Sequence, residues 1–135
     1  LARLQEIKSG KLKELVKKNK LIVDGSHNED GARVLNEYLQ SLHCNKHVII
    51  SMMANKQHEK YISYFKNVSS ITTIDLKTQP NSISGKDLKE KFKSMLNVQY
   101  QPSIEQAIKS IDLKEGDLLL ITGSLYGAAE VLSLN

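Results

Sequence analysis

Short apolar runs alternate along this chain with longer stretches whose apolar residues recur every three or four positions. Leu21-Ile22-Val23 predicts a buried strand ending at Asp24-Gly25. From about Asp30 to Leu42, Leu35, Tyr38, Leu39 and Leu42 stand at i, i+3, i+4 and i+7, one face of a helix. Asn28 is suited to cap that helix, with Glu29 and Asp30 in its first turn. Val48 to Ile50 predicts a second strand, and residues 57–66 a helix with Tyr61, Ile62 and Phe65 on one side. Ile71 to Leu76, rich in β-branched residues, predicts a third strand. Gln79 to Ser82 reads as loop, and 84–96 as a helix with Leu88, Phe92, Met95 and Leu96 inward. A short strand follows at 98–100, then a helix opening at Pro102-Ser103 with Ile104, Ala107, Ile108 and Ile111 on its apolar side. Leu118 to Ile121 is the most apolar strand, and Thr122-Gly123-Ser124 leads from it into a small-residue helix over 125–132. The first twenty residues break this rhythm: Leu4–Ile7 and Leu12–Val16 suit a hairpin, or a strand and a short helix. Strands alternating with helices predict one α/β domain over 1–135, its mostly parallel sheet covered by helices on both faces.

Composition narrows the class. A chain of 135 residues, 40% hydrophobic and 25% charged, is long enough for a real core and excludes low-complexity disorder. Cys44 is the single cysteine, so no disulfide framework exists within the chain. No apolar run approaches the ~18 residues of a membrane span, and no secretory signal is visible, so a cytoplasmic protein without membrane attachment is expected. The chain opens on Leu1, inside what reads as a structured segment, and is expected to be a domain of a longer protein. The net charge is +4, with Lys8, Lys11, Lys13, Lys17, Lys18 and Lys20 crowded together. Such a run tracks nucleic-acid phosphates or simply solvates a surface. The five Tyr and two Phe are not interleaved with it, so no base-stacking platform is evident and no nucleic-acid partner is expected.

Ligands of an open parallel sheet bind beyond the carboxyl ends of its strands. Asp24-Gly25-Ser26-His27-Asn28 and Thr122-Gly123-Ser124-Leu125-Tyr126 both belong there. Asp24 can accept from ribose hydroxyls or sit beside a cation, although Asp-Gly is also a common turn pair. His27 can donate to a carboxylate or phosphate, act as acid or base, or be an ordinary loop histidine. Gly123-Ser124 can form an anion site at a helix start, or Ser124 can simply cap that helix. His43, His47 and His58 show no zinc-ligand spacing, and Cys44 reads as a partly buried thiol. Gly10-Lys11 is followed by Leu12 and Gly85-Lys86 by Asp87, so neither is a P-loop, and no G-x-G-x-x-G occurs.

Three segments in order resemble the C-terminal domain of the folylpolyglutamate synthase family, often also dihydrofolate synthases in bacteria, within the Mur ligase superfamily. Ala2-Arg3-Leu4-Gln5 is similar to G/A-R-[LF]-Q, Leu21 to Gly31 to L-x-x-D-G-A-H-N-P-D-G, and Ile121 to Leu132 to [TC]-G-S-L-Y-x-x-G-E-V-L. Lys56 stands in a matching position after the second strand. The chain departs from the pattern at Ser26 (Ala in the family), at Glu29 (Pro) and at Gly127-Ala128-Ala129.

The resemblance implies a three-layer, Rossmann-like domain of the Mur ligase C-terminal type. It implies an ATP-dependent ligase in which the γ-phosphoryl of MgATP passes to a folate carboxylate and the acyl phosphate is attacked by the amine of L-glutamate. The acceptor would be a tetrahydrofolate, dihydropteroate or both. The P-loop and the Mg2+ ligands would belong to an N-terminal domain outside this chain, leaving this domain inactive alone and monomeric. By motif, Arg3 and Asp24 would contact ATP, and His27 and Ser124 would line the glutamate site, with His27 catalytic and no metal ligand among them. Lys56 is a further candidate or a surface lysine. The alternative is a free-standing α/β module that binds a nucleotide or a partner without catalysis.

Overall fold

The computed structural model describes residues 3–92, 95 and 97–135. Leu1 and Ala2 of the opening motif, and Leu96 of the predicted helix face, lie outside them. The elements in chain order are β1 (Gln5–Ile7), α1 (Lys11–Val16), β2 (Lys20–Val23), α2 (Glu29–Gln40), β3 (Lys46–Ile50) and α3 (His58–Ile62). They continue with β4 (Ser70–Ile74), α4 (Gly85–Glu90), β5 (Val98–Gln101), α5 (Ile104–Ser110), β6 (Leu118–Thr122) and α6 (Leu125–Leu134). The open choice over the first twenty residues resolves as a strand and a short helix.

The strands form one sheet in the order β1-β2-β6-β3-β4-β5. Only β1 runs antiparallel, with Glu6 opposite Ile22; the others are parallel, with Ile22 and Val48 both beside Leu120. All five residues of β6 are buried, as its uninterrupted apolar run predicts for a strand covered on both faces. Two cores result. One packs Leu12, Val16, Ile104, Ile108 and Val131 of α1, α5 and α6 against Leu21, Ile49 and Leu119. The other packs Leu35, Leu39, Tyr61 and Leu88 of α2, α3 and α4 against Ile22, Val48 and Leu120. This is the expected three-layer α/β fold.

Two helices are shorter than the apolar period suggests. The predicted helix over 84–96 ends at Glu90, after which Lys91, Phe92 and Met95 bond three residues back. Phe92 is nevertheless buried, and Met95 packs against the core. The predicted helix over 57–66 is α3 followed by a 3₁₀ turn, Ser63–Phe65, which buries Phe65.

The order of strands matters for function. The chain proceeds β2, β3, β4, β5 with α2, α3 and α4 on one face, and then returns through α5 on the other face to insert β6 between β2 and β3. Beyond the carboxyl end of β6 its own connection leaves for one face while those of β2 and β3 leave for the other. A crevice opens at such a switch point.

Candidate functional site

The loop after β2 is held from within. Asp24 is 2% exposed, and its two carboxylate oxygens accept from the Leu4 N–H at 2.9 Å and the Ser26 N–H at 2.8 Å. The first bond brings the segment carrying exposed Arg3 over the sheet edge, where Leu4 adopts φ 49°. Asn28 caps α2 by accepting from the Gly31 N–H at 2.9 Å. Gly31 lets the loop fold down on α2, since a Cβ there would stand 2.6 Å from the Cβ of Ser26. His27 is half-buried between these anchors, its Nδ1 3.3 Å from the Gly25 carbonyl oxygen. With Nδ1–H donating there, Nε2 is the ring's acceptor nitrogen.

The loop after β6 approaches β3 closely. Gly123 has φ +107°, and a Cβ there would meet the Ser51 carbonyl oxygen at 2.2 Å. Ser124, 1% exposed, caps α6 by accepting from the Tyr126 N–H at 3.0 Å and the Gly127 N–H at 3.3 Å. Both readings of Ser124 can therefore hold at once. Its oxygen is committed to the cap, while its hydroxyl proton remains available to a ligand.

The loop after β3 supplies Lys56. His58 Nε2 lies 2.9 Å from the Met53 carbonyl oxygen, and the Ala54 N–H donates to the Asn81 carbonyl at 2.8 Å. These bonds fold residues 53–56 along the sheet edge beside the 79–83 loop, which the Met53–Ser82 bridge also joins.

The three loops line adjoining cavities. His27, Lys56, Ser124, Leu125 and Tyr126 surround one of about 210 Å3. His27 and Leu125 also wall a second of about 330 Å3, with Arg3, Asn28 and Asp30. Lys56 and Tyr126 open onto a third of about 580 Å3, with Asn55, Pro80 and Asn81. Together they make a groove across the switch point with Arg3 at one end and Asn81 at the other. Arg3, His27, Lys56 and Ser124 line it, whereas the Asp24 carboxylate lies beneath its Arg3 end, engaged with backbone. Among the described residues no His, Cys, Asp and Glu cluster suits a metal ion, and no helix is long and apolar enough to cross a membrane.

Tyr61 escaped the sequence reading, which treats it as one more apolar-face residue. It is fully buried, and its phenolic oxygen lies 3.0 Å from Ser26 Oγ, 3.1 Å from the Ser26 carbonyl oxygen and 2.8 Å from Thr122 Oγ1. Burial pushes this phenol well above its ordinary value, against the opposing effect of the Ser26 and Thr122 hydrogen bonds. It stays neutral and able to donate. Its partners are distant in sequence, so helical periodicity carries no sign of them.

The pattern of the family described as "Mur ligase, glutamate ligase domain" matches residues 11–125. The chain is 25% identical over 126 residues to the dihydrofolate synthase/folylpolyglutamate synthase of Bacillus subtilis (strain 168), an alignment covering 90% of this chain and 29% of that protein. Its fold matches that of Mycobacterium tuberculosis folylpolyglutamate synthase complexed with ADP and AMPPCP, with a TM-score of 0.81 at 16% identity, over 98% of this chain and 31% of that one. The bifunctional folylpolyglutamate synthase/dihydrofolate synthase of Yersinia pestis complexed with AMPPNP and Mn ion gives a TM-score of 0.76 at 20% identity, over 98% and 30% of the two chains. The chain thus spans about a third of the length of these relatives.

Proposed function

The chain belongs to the Mur ligase glutamate ligase domain family, and on that premise we propose that it is the amino-acid-binding domain of an ATP-dependent ligase that joins L-glutamate to a folate. The observation that carries this reading is the convergence of His27, Lys56 and Ser124, from the loops after three neighbouring strands, on one cavity next to Arg3. In the proposed reaction a folate carboxylate oxygen attacks the γ-phosphorus of ATP and ADP departs. The glutamate nitrogen then attacks the acyl carbon, phosphate departs and the nitrogen loses its proton. Bound to ATP, Mg2+ would neutralise charge on the transferring phosphoryl group; we assign its ligands, like the P-loop, to the remainder of the enzyme.

The residues of this chain divide the remaining work. Arg3 offers a guanidinium fork to the nucleotide phosphates. Asp24 holds the Arg3 segment through Leu4 and keeps lone pairs beyond its two backbone bonds for a ribose hydroxyl. The free Nε2 of His27 takes a proton from the glutamate ammonium, giving the neutral amine that attack requires. The Ser124 hydroxyl and the Lys56 ammonium hold a carboxylate of the incoming amino acid. Closure of the groove against the remainder of the enzyme keeps water from the acyl phosphate.

The test is ADP release by the full-length protein that contains this chain. Release is expected to need both L-glutamate and a folate, with tetrahydrofolate and dihydropteroate compared as acceptors. The 135-residue chain alone is expected to give none. Turnover by the chain alone, or full-length release indifferent to glutamate, overturns the proposal.

A further inference from the structure

We propose that Tyr61 is a positioning residue that sets the spacing of His27 and Ser124 by tying the loop after β2 to the end of β6. This deepens the glutamate-site reading above and rests on it for its catalytic consequence.

The phenol is a saturated node. A neutral phenol has one proton and two lone pairs. With its proton donated to the Ser26 carbonyl oxygen at 3.1 Å, the phenolic oxygen keeps both lone pairs open to the hydroxyls of Ser26 at 3.0 Å and Thr122 at 2.8 Å. Ser26 immediately precedes His27, and Thr122 stands two residues before Ser124. Tyr61 itself lies five residues beyond Lys56, on the helix that the Lys56 loop enters. One buried oxygen therefore touches the loop after β2 and the last residue of β6 directly, from the helix that the third loop enters. Displacing any of them breaks a hydrogen bond where no water can replace it.

Packing alone does not account for the hydroxyl. Tyr61 stacks obliquely on Phe65 with ring centroids 5.4 Å apart, a contact that phenylalanine would make equally well. Ser26 bonds Tyr61, and Glu29 accepts from the Tyr64 phenol at 3.0 Å. His27 lies between these two positions. Polar ties thus flank the histidine on both sides, each to a tyrosine of α3 or the 3₁₀ turn that follows. The buried tie is the stronger, since an exposed hydrogen bond competes with water.

The test has two arms. In the 135-residue chain, Tyr61→Phe is expected to shift the His27 ring and Ser124 amide NMR resonances, while the His47 ring at the opposite end of the parallel strands stays in place. In the full-length enzyme, assayed below the variant's melting temperature, Tyr61→Phe is expected to lower kcat about tenfold or more with the KM for ATP retained, because misplacing a reacting group by about 1 Å costs up to about a hundredfold. Thr122→Val is expected to act alike, and Thr122→Ser, which restores the hydroxyl, to recover most of the rate. Unmoved His27 and Ser124 resonances overturn the tether. Moved resonances with unchanged kcat overturn its catalytic consequence. Absence of ligase turnover in the wild type counts against the proposed function instead, and the NMR arm then decides the tether by itself.

Discussion

Single residues hold both ends of the parallel strands, and two of them allow sharp tests. At the amino-terminal end of the parallel strands His47 joins β4 to the turn before β6, with Nδ1 2.7 Å from Ser70 Oγ and Nε2 3.0 Å from Asp117 Oδ2. Burial tends to raise the Asp117 carboxyl, but the Lys114 N–H and His47 outweigh it and hold the group below its ordinary value. A lowered carboxyl contributes stability that is fully present above its unfolded pKa and is lost as pH falls through its folded one. Asp117→Asn is therefore expected to cost about 1–2 kcal/mol at neutral pH. The gap from wild type should close as the pH drops below about 4, the ordinary carboxylate value, in chemical denaturation series across pH. At the carboxyl-terminal end Gly123→Ala must place a methyl group against the Ser51 carbonyl at a φ of +107°. A loss of at least about 2 kcal/mol is expected, measured as a fall in denaturant midpoint at unchanged slope.

The elements differ in how legibly the sequence encodes them. β6 declares itself because both its faces are buried, leaving an unbroken apolar run. β1 does not, since it is an edge strand of three residues with only Ile7 buried. The apolar period over 84–96 does not mark the end of α4 at Glu90, because Phe92 beyond it is buried as well. The switch point was legible only as loops following strands; the insertion of β6 between β2 and β3 is a property of the whole sheet. Candidate residues at strand ends were visible as motifs, whereas the Tyr61 node was hidden because its hydroxyl partners lie in other elements. At the level of α6, the two uses of Ser124 separate experimentally. Ser124→Ala is expected to cost about 1 kcal/mol through the lost cap, while Ser124→Gly, a tolerable cap, costs a few tenths. Both are expected to raise the KM for glutamate in the full-length enzyme. A KM that rises only in the alanine variant would mark Ser124 as a cap alone.

The molecule as a whole places a groove where its layers diverge, with a cation at Arg3, an imidazole at His27 and a hydroxyl at Ser124 along one rim. The two cores pack both faces of the strands whose ends carry that rim. In the proposed reaction this rim closes on a nucleotide and an acceptor carried by the remainder of the enzyme. The most direct measurement is the rate of folate- and glutamate-dependent ADP release by the full-length protein with His27→Ala and, separately, Asp24→Ala. Both variants are expected to be slower by at least about tenfold, and wild-type rates in both would contradict the account.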